Sequence, residues 1–102
     1  MSRRKIESAM RDLGASGLFK GFWMTLDIVE KRVEGKTAGQ ALKEVAAKEG
    51  IYPNLAHERI RLMIRYMEKQ GLEQYKILWG EGRKPTPNEL IDRLADVVTK
   101  KD

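Results

Sequence analysis

Residues 54–71 place apolar side chains at the spacing of an α-helix, and this pattern constrains the fold more than any other stretch. The apolar residues recur three and four positions apart and so share one stripe: Ala56, Ile60, Met63, Ile64 and Met67. Asn54 is a good N-cap residue, and Gly71 is a natural residue just after a helix end. We predict a helix between them whose apolar stripe packs on a core.

The opposite side of this predicted helix is polar and charged. It carries Asn54, His57, Glu58, Arg61 and Arg65, which can form hydrogen bonds and supply positive charge. Such a face is typical of a helix that reads DNA, but also of an ordinary amphipathic helix with a solvated surface. The stretch by itself favours the second interpretation, because such faces are common.

Another predicted helix precedes this one across a tight turn. It starts at a capping box formed by Thr37 and Gln40, runs to about Glu49 and is stopped by Gly50. Two helices joined by a short turn that contains glycine have the outline of a helix-turn-helix. We place this motif at about residues 40–70.

The residues around the turn fit the motif in part. Ala46, Gly50 and Ile51 suit its small residue, turn glycine and apolar residue. Glu49 and Arg59 occupy places that are usually apolar.

The most hydrophobic predicted helix runs from about Leu18 to Val33. We expect it to form the centre of the core, with Phe22 and Trp23 packed inside, because aromatic side chains dominate small cores. Gly21 within this helix costs nearly 1 kcal/mol relative to alanine, and we interpret it as a place where another helix approaches closely.

Further segments complete an all-α prediction. We predict a first helix over residues 2–13, a short helix or turn over 72–79, and a last helix that a capping box at Thr86 opens. The residues predicted to face inward on the last helix are Leu90, Ile91, Leu94, Ala95, Val97 and Val98. Without strand-like alternation anywhere, residues 1–102 are predicted to form one compact all-α domain of five or six helices.

The composition excludes several classes of protein. The chain has no cysteine and one histidine, so we expect no disulfide, no zinc or iron site and no cofactor. It has no apolar run long enough to span a membrane and no secretory signal, and we expect a cytoplasmic protein that does not bind membranes. The formal charge of +5 and the pI of about 9.6 favour a polyanionic partner.

Catalysis finds no support in the sequence. His57 and Glu58 are neighbours and would point about 100° apart on a helix, so they are not an acid–base pair. The chain has neither a glycine-rich phosphate loop nor a nucleophile elbow. We therefore expect no enzymatic activity and no small-molecule substrate.

Three stretches, in order along nearly the whole chain, resemble one known family. They are Leu13-Gly14 with Lys20-Gly21-Phe22; Val45-Ala46 with Lys48, Ile60-Arg61, Ile64 and Gly71; and Lys84-Pro85-Thr86 with Glu89, Ile91 and Ala95-Asp96. In these stretches the chain is similar to the DNA-binding effector domain of the sporulation response regulators of spore-forming bacteria. The resemblance implies an all-helical domain with a helix-turn-helix that binds double-stranded DNA and regulates transcription.

The chain departs from the family pattern within the motif itself. Leu42 and Lys43 stand where the family has a Tyr-Pro pair, and His57-Glu58 replaces a Glu-Arg pair, so the resemblance assigns base reading to Arg61 alone. The family's preferred DNA element is therefore not assumed. The family also carries a phosphorylatable receiver domain, for which these 102 residues leave no room, and we expect DNA binding that requires no phosphorylation.

The candidate base contacts are Asn54, His57, Glu58 and Arg61. An arginine can pair with guanine O6 and N7, which is worth roughly 1–3 kcal/mol of discrimination. Asn54 could read adenine, bond a phosphate or only cap the helix, and His57 could donate to a base edge or be a solvated surface residue. Glu58 could accept from cytosine N4 or pair with Arg61 or Arg65.

Polar and basic residues elsewhere are candidate phosphate contacts, and each of them could instead be an ordinary solvated residue. They are Lys36, Thr37, Lys43, Lys48, Arg65, Lys69, Arg83 and Lys84.

The expected function is sequence-preferring binding of double-stranded DNA, and hence regulation of transcription. The alternative is a helical protein-interaction module that binds or titrates a related regulator. An RNA-binding or structural bundle is a third interpretation, but it lacks a stacking platform in the sequence. The resemblance further implies a homodimer on DNA through residues 80–85 and 90–98, although the last helix could merely close the core.

Overall fold

The structure is a computed structural model that describes residues 2–80 and 82–100. This part of the chain contains six helices. In chain order they are α1 (Ser2–Asp12), α2 (Lys20–Val33), α3 (Ala38–Glu49), α4 (Pro53–Gln70), α5 (Glu73–Trp79) and α6 (Pro87–Thr99). Those two ranges contain no strand, which confirms the all-α prediction. None of these helices is long and apolar enough to cross a membrane.

Helix α2 is the element around which the others are arranged. It packs against α1, α3, α4 and α6, and its residues Phe22, Leu26, Ile28 and Val29 are fully buried. The buried side chains of these helices join into one core cluster. The prediction that this segment forms the centre of the core is confirmed.

Helices α2 and α4 come into backbone contact at Gly21. A Cβ atom placed on Gly21 would lie 2.4 Å from the carbonyl oxygen of Arg59 and 2.8 Å from its carbonyl carbon. Real Cβ atoms do not approach a backbone so closely, so only glycine permits this crossing. The interpretation of Gly21 as a point of close helix approach is confirmed, and the contact fixes the position of α4 on the core.

Trp23 does not lie in the core, and the prediction that it does is wrong. Its side chain is 44% exposed, whereas Phe22 beside it is fully buried. Neighbours on a helix point about 100° apart, so only one of the two can face the centre. The indole ring instead packs edge-on against Phe22 and donates a hydrogen bond of 2.8 Å from Nε1 to the carbonyl oxygen of Gly17.

Both predicted capping boxes are present. The hydroxyl of Thr37 accepts from the backbone N–H of Gln40 at 3.1 Å, and the Gln40 side chain accepts from the Thr37 N–H at 3.1 Å. Thr86 and Glu89 form the same pair of bonds at the start of α6. These side chains satisfy amide groups that have no partner within the helix.

Helix α4 begins before the predicted cap. Tyr52 is the N-cap and Pro53 the first helical residue, so the prediction that Asn54 caps the helix is wrong. The proline ring fixes φ near the helical value and has no N–H to satisfy, which favours it as the first residue of a helix. At the other end, Gly71 closes α4 in the left-handed conformation with φ of 61°, as predicted.

The C-terminal end of α6 is less buried than predicted. Leu90, Ile91, Leu94 and Ala95 lie in the core, but Val97 is 45% exposed, so its predicted inward orientation is wrong. Val97 lines a partly open cavity of about 120 Å³ between α1, α5 and α6. Since the cavity is open, the end of α6 is not fully covered by neighbouring helices.

Candidate nucleic-acid interface

One face of α4 is buried and holds the other face outward. All five residues of the predicted apolar stripe are at most 2% exposed, which confirms the stripe. Packing against α2, α3 and α6 therefore fixes the rotation of α4 about its own axis. Three residues, Gly50 to Tyr52, join α3 to α4, and Gly50 takes the left-handed conformation with φ of 74°.

The outward face of α4 carries three rows of side chains. Residues seven positions apart are two helical turns apart and follow one another along the axis. The rows are Asn54, Arg61 and Glu68 on one edge; Glu58 and Arg65 in the middle; and Leu55, Leu62 and Lys69 on the other edge. Except for the partly buried Glu68, all of these side chains are exposed.

Positive charge prevails along this face. Arg61, Arg65 and Lys69 follow one another at intervals of four residues, so three positive charges form one exposed line. Glu58 is the negative charge among the exposed side chains of the rows, and its Oε2 lies 3.8 Å from Nη1 of Arg61. An exposed pair at this distance is weak, so both side chains can turn towards a ligand.

His57 lies beside the polar edge row and is partly buried. Its Nδ1 is buried and has no hydrogen-bond partner among the described residues. Burial lowers the pKa of His57 below its usual value, and the positive charge of Arg61 lowers it further. The imidazole is therefore neutral at pH 7, and a base contact by His57 would have to come from Nε2.

Asn54 is exposed in the first turn of α4. Because Tyr52 takes the N-cap position, the Asn54 amide is not engaged in capping. Of the roles considered for Asn54, contact with a base or a phosphate remains, and its amide can serve either as donor or acceptor.

The candidate phosphate contacts at the start of α3 are already engaged within the protein. Nζ of Lys36 lies 2.7 Å from Oε2 of Glu44, and the same carboxylate lies 3.3 Å from Nζ of Lys31. The hydrogen bond between them raises the pKa of Lys36 and lowers the pKa of Glu44. Thr37 uses its hydroxyl as the cap of α3. Lys36 would have to leave Glu44 to hold a phosphate.

The loop before α6 lies beside the C-terminal half of α4. Nζ of Lys84 is 3.9 Å from Oε1 of Glu68, and the Tyr75 hydroxyl donates to the carbonyl oxygen of Arg83 at 3.4 Å. Arg83 and Lys84 are both exposed. The position of Lys84 offsets the negative charge of Glu68 next to the basic line of α4. Residue 81 of the predicted loop lies outside the described residues.

Lys43 and Lys48 of α3 are exposed, and neither forms an ion pair with another residue that the structure describes. They are five positions apart, which places them about 140° apart around the helix axis. The structure therefore does not bring them to one surface. A single duplex lying flat on α3 could contact one of them more readily than the other.

Sequence reasoning missed two exposed apolar residues on the outward face of α4. Leu55 is 43% exposed and Leu62 is 49% exposed. Leucine in a helical pattern is usually assigned to the core, but these two are out of phase with the buried stripe. Their separation of seven residues puts them on one edge of the helix, and this spacing was the signal that could have identified them.

No family model matches the chain, and no curated protein matches it in sequence. No group of three or more His, Cys, Asp or Glu side chains that could hold a metal occurs among the described residues.

Proposed function

We propose that the chain binds double-stranded DNA with sequence preference through the outward face of α4 and thereby regulates transcription. One observation carries this proposal: α4 is buried along one face, while Arg61, Arg65 and Lys69 form an exposed line along the other. The major groove of B-DNA is about 12 Å wide and admits an α-helix. Helix α3 and the turn from Gly50 to Tyr52 would complete a helix-turn-helix around it.

The rows of α4 suggest which residues would contact bases and which would contact phosphates. Arg61 would release Glu58 and pair with a guanine edge, and Asn54 would contact an adenine or a phosphate in the first helical turn. Arg65 and Lys69 would hold the phosphate backbone, with Arg83 and Lys84 adding charge from the neighbouring loop. Glu58 would accept from cytosine N4, because a carboxylate facing a phosphate would be repelled.

The resemblance to the effector domain of sporulation response regulators supports this reading. Gly21 belongs to one of the three resembling stretches, and in this chain it lies in tight contact with the backbone of Arg59. A regulator of this kind acts on DNA in the bacterial cytoplasm, which we propose as its location.

Salt dependence tests the proposal. Binding of a fluorescent random-sequence duplex should weaken steadily between about 50 and 200 mM salt, because each phosphate contact releases counterions. Replacing Arg65 and Lys69 by alanine together should weaken binding and reduce the slope of log affinity against log salt by about two. The matched control is Arg4→Ala with Lys5→Ala, which removes the same charge from the exposed side of α1. If no duplex is bound at low salt, the proposal fails.

A second candidate function, a protein-interaction module, is favoured by exposed apolar residues on α5 and α6. Ile77 is 68% exposed and, like Val97, lines the cavity between α1, α5 and α6. If the chain also binds DNA, this surface would instead pair two copies on adjacent sites. Affinity for a duplicated site distinguishes them: pairing predicts cooperative binding that Ile77→Ser removes, whereas an interaction module predicts no duplex binding at all.

A further inference from the structure

We infer that Leu55 gives α4 a preference for thymine, by contacting the C5-methyl group of a thymine base in the major groove. This contact depends on the DNA binding proposed above and specifies one part of what the protein would read.

Leu55 is set apart from the buried apolar residues of α4 by its exposure. The apolar stripe on the back of α4 is almost completely buried, yet Leu55 and Leu62 leave nearly half of their side chains in water. They stand on the outward face of α4, in the row next to Glu58 and Arg65. Exposed apolar surface within a charged face marks a contact surface more strongly than a lone exposed leucine would.

The chemistry of the base edges in the major groove indicates which base Leu55 would contact. Among the base edges there, guanine, cytosine and adenine present hydrogen-bond donors and acceptors, and thymine adds a methyl group. A leucine side chain has no polar atom and gains nothing from the first three edges. Asn54 and Arg61 on the opposite edge supply hydrogen-bonding groups, so the two edges of α4 would read different base features.

The position along the helix favours Leu55 over Leu62. Leu55 lies in the first turn of α4, and the N-terminal residues of a recognition helix contact base edges. Leu62 is two turns further on, about 10.5 Å along the axis. Since it matches Leu55 in residue type, exposure and row, Leu62 is the control position.

The experiment uses a duplex selected by the wild-type chain from random DNA, with each thymine replaced in turn by uracil. Uracil keeps the base pair and the O4 acceptor and removes only the methyl group. For the wild-type chain, one replacement should weaken binding on the order of fourfold, as expected for one buried methyl group. Leu55→Ala should be insensitive to that same replacement, and Leu62→Ala should remain sensitive.

Three outcomes would overturn the inference. If no thymine is sensitive in the wild-type scan, no methyl group is read. If sensitivity persists in Leu55→Ala, or is lost equally in Leu62→Ala, the assignment to Leu55 is wrong. Each of these leaves DNA binding intact, whereas recovery of no duplex in the selection would remove the proposed function as well. The uracil scan of the wild-type chain needs no variant, so a scan without any sensitive thymine overturns the inference even if Leu55→Ala folds poorly.

Discussion

Arg61 is the residue on which the proposed base reading depends most. It is exposed, it stands between Asn54 and Glu68 in its row, and its nearest carboxylate is the weakly held Glu58. It is also the base contact that the resemblance implies. His57, which lies four residues before Arg61, is less available for base contacts, because Nδ1, one of its two ring nitrogens, is buried within the protein.

Arg61→Ala should relax sequence preference at one base position, and Lys69→Ala should weaken binding to all sequences about equally. The reason is that an arginine pairing with guanine contributes roughly 1–3 kcal/mol of discrimination, whereas a phosphate contact carries no sequence information. Repeating the selection from random duplex DNA with each variant measures both effects. An unchanged preference with Arg61→Ala would mean that Arg61 faces the backbone rather than the bases.

His57 makes the stability of the fold depend on pH. Its pKa in the folded chain lies below its usual value of 6.5, because burial and Arg61 oppose the charged form. Its contribution is therefore fully present above the unfolded pKa and is lost as the pH falls through the folded pKa. Denaturant midpoints measured from pH 8 to pH 5 should fall towards acid. His57→Gln should remove part of this fall, and identical pH profiles would show that His57 titrates as an ordinary solvated residue.

Helix α2 sets the position of α4 through a contact that is possible because Gly21 has no side chain. The Gly21–Arg59 approach lets the two backbones meet, and the buried stripe of α4 then determines which residues face outward. A change in the distance or angle of this crossing would therefore move Arg61 and Leu55 together.

Gly21→Ala should destabilise the fold by about 1–3 kcal/mol, because the added Cβ would overlap the backbone of Arg59. The helix propensity of alanine offsets this by less than about 1 kcal/mol. Gly39→Ala is the matched control, since a Cβ there meets nothing within 4 Å, and it should be neutral or slightly stabilising. Urea unfolding followed by circular dichroism compares the two, and equal stabilities would contradict the close crossing.

The sequence predicts the helices well because their signals are local. Both capping boxes involve residues three positions apart, and the stripe of α4 needs only helical spacing. Local signals could not show which of Phe22 and Trp23 is buried, because both suit a wide apolar face. Burial depends on the neighbouring helices, which the local sequence does not reveal. Local signals also misplaced the cap of α4, because Asn54 is a typical N-cap residue, whereas Tyr52, which takes that position, is not. Leu55 and Leu62 were missed because only polar and charged residues were considered for the outward face of α4.

The whole molecule separates two kinds of surface. The described chain has a radius of gyration of 12.5 Å. Its basic surface lies on α4, whereas the exposed apolar residues Ile77 and Val97 lie on α5 and α6. Ion pairs between different elements, such as Lys31 of α2 with Glu44 of α3 and Lys84 of the loop with Glu68 of α4, depend on the tertiary arrangement. For that reason the sequence could nominate phosphate contacts but could not tell which cations are already engaged.

The central claim is that the outward face of α4 meets duplex DNA, and NMR titration tests it most directly. A protein of 11.7 kDa gives resolved amide signals that can be followed as a selected duplex is added. The account predicts the largest shifts along residues 54–69 of α4, with smaller shifts at the start of α3 and in the loop of Arg83 and Lys84. Saturable shifts confined to α5 and α6, or no shifts with any duplex, would contradict it.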